Sequence, residues 1–326
     1  MRGAHGRTLA TEWKFWSLRR TWETESRPVT TLKEKLRGGR FVVTAEITPP
    51  ASSDSAELIA KAAPFKGLAD AVNVTDGAGA RAHLAAVTAA GILLQNGIEP
   101  ILQFTCRDRN RIALQSDLMA AAALGVQNLL MLKGDDPKAG DQPDAKPVFD
   151  LDSAGLTRMA AAMRDRGELP NGRKIAGKMD FFIGAADAPI DPPPGWEPKS
   201  LKSKVEAGSE FAQTQFCMDA GVVRRYLARL AEHGVKLPML IGISPLRSAK
   251  SARWMREKLF GTIIADAIVE RMDKAADPAA EGRHICLELI EELATIPGVA
   301  GVHLMAPGNE GAIVEVLKAA ANMKRH

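Results

Sequence analysis

The sequence predicts an α/β protein built as a closed (β/α)8 barrel of parallel strands. Three observations carry that expectation. Eight short β-rich runs alternate with stretches whose apolar residues recur at helical spacing. Eight such repeats in roughly 290 residues match the size of a TIM barrel. No Gly-x-Gly-x-x-Gly turn follows the first run; Pro49 and Pro50 stand there instead. An open doubly wound sheet, the alternative, usually carries that turn.

The eight runs are 41–48, 71–75, 100–106, 128–132, 181–184, 211–217, 239–243 and 299–305. Helical stretches fall at 54–65, 81–95, 116–124, 156–164, 222–233, 248–272, 284–294 and 310–323. Asp54 and Ser248 stand where N-caps belong, and Gly97, Gly125 and Gly234 stand just past helical runs as C-cap glycines do. The long irregular piece, 187–199, holds Pro192-Pro193-Pro194-Gly195-Trp196, and loops of that length are often lids or disordered. Residues 1–30 read as an N-terminal extension ahead of a barrel domain spanning 31–326. Phe15, Trp16 and Trp22 would let a short helix in that extension dock; an arm or an early start is the plainer reading.

Of 326 residues, 43 are Lys or Arg and 39 Asp or Glu, a net charge of +4. That balance, with 5% aromatics and one Tyr, argues against a nucleic-acid partner, which needs clustered positive charge or stacking platforms. No run approaches the ~20 apolar residues of a membrane helix. Cys106, Cys217 and Cys286 stand far apart with no Cys-x-x-Cys pair, as in a reducing, cytoplasmic setting. The six histidines form no metal motif, and no nucleophile elbow or Walker sequence is present.

In a barrel the chemistry gathers where strands end and βα loops begin. The first run delivers Glu46 beside apolar residues, where partial desolvation favours the protonated form and suits a general acid. A Glu paired to Lys or Arg across the rim is the competing reading. The second ends Thr75-Asp76-Gly77-Ala78-Gly79, whose N–H groups could bind phosphate or whose glycines only serve the turn. The third ends in Arg107, Arg109 and Arg111, a phosphate clamp or a solvated helix start. The fourth ends Lys133-Gly134-Asp135-Asp136, of which one carboxylate belongs to a cap or the surface. On the sixth, Gln213 and Gln215 share a face, and an inward amide pair asks for a partner such as a ligand. His303, in the last run, reads as a core or rim histidine before it reads as a base.

These strand ends resemble the methylenetetrahydrofolate reductases, (β/α)8 flavoproteins. The resemblance runs from Leu32 to the C-terminus through Glu46-Ile47-Thr48-Pro49-Pro50, Val74-Thr75-Asp76-Gly77, Thr105-Cys106 and Lys133-Gly134-Asp135. It continues through Leu201-Lys202-Ser203-Lys204-Val205-Glu206-Ala207-Gly208, Thr214-Gln215-Phe216 and Gly242-Ile243-Ser244-Pro245. It implies reduction of 5,10-methylenetetrahydrofolate to 5-methyltetrahydrofolate by NAD(P)H through FAD, in a cytoplasmic homo-oligomer. Glu46 would be the acid that opens the one-carbon bridge, and Asp135 would stand by pterin and flavin. Gln215 would bond folate or nicotinamide, while Thr75, Gln103, Lys133 and Lys204 would contact the cofactor. The chain departs from the family at Gln103 (often His), Lys133 (often Arg), Ser203 and Ala186-Asp187-Ala188-Pro189, and it has no aromatic among Leu246–Ala249. Most departures touch the flavin or dinucleotide shell, so weakened FAD affinity is expected. Direct nicotinamide-to-folate hydride transfer, a pterin-binding methyl-transfer barrel and a non-catalytic accessory barrel are the alternatives.

Overall fold

The computed structural model describes residues 31–323, so the extension at 1–30 lies outside the described residues. Eight parallel strands follow one another around a closed barrel. They are β1 (Val42–Ile47), β2 (Ala71–Val74), β3 (Pro100–Thr105), β4 (Asn128–Leu132), β5 (Phe182–Asp187), β6 (Phe211–Met218), β7 (Met239–Ile243) and, last, β9 (Val299–Leu304). The β9–β1 and β5–β6 pairings close the ring. All eight expected runs are strands of this barrel.

Two-residue alternation sorts the side chains. Outward residues such as Val43, Ala45, Val72 and Val74 join the helices in one large apolar cluster. Inward residues at the strand starts, Val42, Ala71, Ile101, Leu130, Phe182, Phe211 and Leu240, form a second apolar cluster that fills the lower barrel. One step up five of the strands the inward positions turn polar: Thr44, Asn73, Gln103, Gln213 and His303, all buried. The barrel is therefore an oily plug carrying a polar floor.

The plug is closed from below by α1 (Leu32–Arg37), whose Leu32 and Leu36 belong to the inner cluster. A reciprocal capping box between Thr31 and Glu34 starts this helix. The Leu32 N–H donates to the Glu99 carboxylate at 2.8 Å, and burial pushes that carboxyl above the usual range. Six residues are too few to display helical periodicity, which is why the apolar spacing alone misses α1.

The outer layer contains α2 (Ser55–Ala62), α3 (Ala86–Gln95), α4 (Arg111–Ala123), α5 (Ser153–Arg166), α6 (Lys199–Glu206) and α7 (Ala220–Glu232). Asp54 caps α2 by accepting from the Ala56 N–H at 2.8 Å, and Gly97, Gly125 and Gly234 adopt φ of +72°, +82° and +74°. The single helix expected over 248–272 is instead two, α8 (Ala249–Lys258) and α9 (Asp266–Lys274). Gly261, at φ +75°, leaves the helical region, and the β-branched Thr262-Ile263-Ile264 that follow enter strand β8 (Ile263–Ile264). β8 pairs only with the end of β6, through Cys217 and Met218. α10 (Pro278–Ala294) and α11 (Glu310–Met323) complete the ring.

The proline-rich loop is pinned against α7. Arg225 donates twice to Asp191 at 2.8 Å, and the Trp196 ring lies 5.4 Å from that of Tyr226. The three cysteines are free and buried, and burial pushes the Cys106 thiol up to about 11. Among the described residues no helix is long and apolar enough to cross a membrane.

Phe182 and Phe211 stack at 4.7 Å inside the plug, and a Cβ on Gly184 would stand 2.8 Å from two carbons of the Phe211 ring. Overpacking of this kind costs roughly 1–3 kcal/mol. Gly184→Ala is expected to lower the urea midpoint accordingly; an unchanged midpoint would show that the plug repacks freely.

Candidate active site

A cavity of about 1270 Å³ opens at the C-terminal end of the barrel. Glu46, Thr75, Gln103, Lys133, Asp135, Lys204 and Gln215 all line it, so the seven residues to which the resemblance gives roles meet in one chamber, whereas Arg107, Arg109, Arg111 and Asp136 do not line it.

Glu46 projects from β1 above the polar floor with its side chain 19% exposed. Gln103 donates Nε2–H to Glu46 Oε2 at 2.6 Å, and His303 Nε2 stands 3.5 Å from the same oxygen. Behind His303 the floor continues as a chain. Gln213 Nε2 donates to Thr44 Oγ1 at 3.2 Å, and Thr44 Oγ1 lies 3.0 Å from His303 Nδ1. The Thr44 hydroxyl also donates to the Val302 carbonyl at 3.3 Å, and His303 directs Nε2 toward Glu46. Gln213 is anchored in turn by Asn73, donating at 3.1 Å and accepting at 2.6 Å. Among the described residues no Lys or Arg pairs with Glu46, so the cross-rim ion pair is not formed. His303 is both a buried core histidine and a neighbour of the candidate acid, a role that its position in the last run did not disclose.

Gln213 and Gln215 both line the chamber, the shared face that alternation predicts, but at different depths. The β6–β7 register shifts between Gln213 and Phe216, so Gln213 sinks into the floor and Gln215 sits at the rim. Gln213 has protein partners for its amide and requires no ligand. Gln215 accepts from the Phe216 N–H at 3.0 Å and donates to the Phe260 carbonyl at 3.2 Å.

The opposite rim is built from β2 and β4. Asp135 is exposed to the cavity and accepts from the Gly79 N–H at 3.0 Å. The glycine turn thus offers a main-chain donor to an anion, but the anion is the protein's own carboxylate rather than a phosphate. Asp136 is the capping carboxylate, accepting from Lys138 N–H at 2.9 Å. Asp76 holds the ends of β2 and β3 together, accepting from the Thr105 N–H and hydroxyl at 2.9 Å each and from Arg109. The arginine cluster is no phosphate clamp. Arg107 forks onto Asp108 at 2.7 Å, Arg109 onto Asp76 and Asp117, and Arg111 onto Asp150 at 2.9 Å. Each guanidinium lies within reach of a nearby carboxylate, where ion pairing holds it.

The third wall, from β5 and α6, carries groups that sequence reading did not assemble. Lys204 donates to the Ala186 carbonyl at 2.6 Å, and burial lowers its pKa against the pull of nearby Asp187. Burial raises the Asp187 pKa, opposed by the Tyr226 hydroxyl donating at 2.7 Å and by Lys204. Thr75 Oγ1 is buried with no hydrogen-bond partner, an open polar position at the cavity wall. Lys133 projects at the mouth, 5.6 Å from the Phe149 ring.

A family model described as methylenetetrahydrofolate reductase matches residues 31–321. The chain belongs to that family. Among curated methylenetetrahydrofolate reductases, the probable NADPH enzyme of Caenorhabditis elegans is 27% identical over 71% of this chain and 33% of its own. The 5,10-methylenetetrahydrofolate reductase of Salmonella typhimurium is 26% identical over 50% of this chain and 49% of its own. That of Pectobacterium carotovorum is 27% identical over 65% and 66%. The chain thus spans from a third to just under two thirds of these relatives. A solved structure of an uncharacterized Clostridium thermocellum protein, which binds two copies of 5-methyl-5,6,7,8-tetrahydrofolic acid, has the same fold. Its TM-score is 0.61 at 12% identity, over 90% of this chain and 99% of that one.

The half-buried Asp187, set against Tyr226 in the cavity wall, predicts a pH signature. Because its native pKa is raised, the unfolded chain releases this proton first as pH climbs past about 4. Stability contributed below that pH is lost as pH rises through the native value. Urea unfolding should therefore show wild type losing ground to Asp187→Asn from pH 4 upward. A gap that is flat or closes with pH would contradict the burial assigned to this carboxyl.

Proposed function

We propose that this family member reduces 5,10-methylenetetrahydrofolate to 5-methyltetrahydrofolate with NAD(P)H as reductant. The observation that carries the reading is a single carboxyl, Glu46, fixed by Gln103 and His303 and facing the chamber that Asp135 also lines. In this reading the bicyclic folate binds with its one-carbon bridge toward Glu46. Glu46 delivers a proton to N10 as the N10–CH2 bond breaks, leaving an N5 iminium. One hydride then adds to the methylene carbon, so one NAD(P)H and one proton are consumed per methyl group formed. Asp135 accepts from the amino edge of the pterin and favours the cationic iminium through space. Gln215, with one N–H and one lone pair left beyond its protein contacts, bonds the ring edge. The Gln213–Thr44–His303 chain keeps Glu46 oriented by holding the His303 ring against it on the side away from the substrate.

The volume supports this assignment. At about 1270 Å³ the cavity exceeds the roughly 300–1,000 Å³ of an ordinary small-ligand pocket. It has room for a folate with a second planar group beside it, and the related Clostridium fold takes two folate molecules.

FAD fits the residues present, with fewer phosphate contacts than its pyrophosphate could use. Thr75 Oγ1 is the open polar position, and Gln103, Lys133 and Lys204 are the side chains that would hold the cofactor. Bound there, FAD would supply hydride-relay chemistry between nicotinamide and folate. With Arg107, Arg109 and Arg111 paired to carboxylates and Lys204 beside Asp187, the phosphate end rests on few free cations. Weak flavin binding follows, and the same observation favours direct nicotinamide-to-folate transfer as the second reading.

Glu46→Gln tests the proposal. General acid catalysis contributes roughly 10²–10⁴-fold, so folate turnover should fall by that order. Affinity for 5-methyltetrahydrofolate, measured by calorimetry, should be nearly unchanged. A well-folded variant that keeps the wild-type rate would refute the acid role.

A further inference from the structure

Phe260 is 92% exposed, the most exposed large apolar side chain among the described residues, and it lines the mouth of the cavity. Single exposed apolar residues are ordinary on protein surfaces. This one is presented by a backbone held from three directions. Its carbonyl accepts from Gln215 Nε2 at 3.2 Å. The next residue, Gly261, takes φ +75° where an added Cβ would stand 3.0 Å from the Ala188 methyl. Two residues further on, β8 adds to β6 at Cys217, immediately past Gln215 and Phe216. The segment is therefore tied to the strand end that carries Gln215 and rests on the loop after β5.

Gln215 connects this aromatic to the site. A primary amide has two N–H donors and two lone pairs. Gln215 uses one donor on Phe260 and one lone pair on the Phe216 N–H, which leaves one of each for a ligand. Any flat ring that takes those two groups edge-on lies next to the residue whose backbone Gln215 holds.

We propose that Phe260 is a specificity-determining residue that covers the face of a planar heteroaromatic ring bonded edge-on by Gln215. The proposal rests on the reductase reading for the identity of the ring, pterin or nicotinamide, and the geometry of the Gln215–Phe260 pair is independent of it. Aromatic stacking of a flat heterocycle contributes on the order of tenfold in affinity.

The test is calorimetric titration of 5-methyltetrahydrofolate and, separately, NADH into wild type, Phe260→Ala, Phe260→Leu and Phe260→Trp. Phe260→Ala should weaken one of the two ligands by about tenfold, Phe260→Leu by less, and Phe260→Trp should retain wild-type affinity. The weakened ligand identifies the ring. The urea midpoint should stay at the wild-type value in all three, because the side chain is exposed. Wild-type affinity for both ligands in Phe260→Ala would overturn the proposal, as would a variant that changes only the oligomeric state by sedimentation. A wild-type chain that binds neither ligand would overturn the reductase reading and this proposal together, which separates the two failures.

Discussion

One polar chain sets the terms for the rest of the structure: hydrogen bonds join Asn73, Gln213, Thr44 and His303 on one side and Gln103 and Glu46 on the other, and His303 stands 3.5 Å from Glu46 between them. These groups lie on an apolar plug, and most are buried, so each must find its partner within the ring or incur a desolvation cost. Every one does. Closure of the strands is what allows it, because β1, β2, β3, β6 and β9 each contribute an inward polar residue at nearly the same height. A one-residue slip in any strand would replace a partner with an outward apolar side chain.

The charges around the chamber are arranged with the same economy. The three arginines after β3 sit in a region that could have bound phosphate, yet each faces an aspartate from its own or a neighbouring loop. Asp135 takes the free N–H of the glycine turn, and Asp187 stands beside Lys204. The outcome is a chamber lined by nearly balanced charges of both signs, with one carboxyl, Glu46, above its floor. That distribution suits a ligand with a neutral or cationic reacting centre better than one held chiefly through its phosphates.

Much of this was legible in the sequence, for identifiable reasons. Period-two runs ending in polar residues give both the strands and the end of the barrel where polar groups gather, so Glu46 and Asp135 could be placed there without coordinates, while Gln103 was picked out only through the family resemblance. Asp54, Ser248 and the capping glycines work locally and read directly. What escaped depends on long-range pairing or on deviations from period. The partners that satisfy the Gln213 amide, Asn73 and Thr44, come from other strands, and nothing local announces them. The break at Gly261 lies within an otherwise helical pattern, so the segment carrying Phe260 was hidden inside a helix. Asp187, Tyr226 and Lys204 come from three elements and meet only through the fold.

The central claim is that a ring-bearing folate occupies the chamber between the β1 carboxyl and the β4 carboxylate. A crystal structure of the chain grown with saturating 5-methyltetrahydrofolate addresses it most directly. The account predicts the pterin inside the barrel mouth, its N5-methyl edge toward Glu46 and its amino edge toward Asp135. A pterin bound elsewhere on the surface, or one inside the mouth whose methyl edge faces away from Glu46, would contradict it.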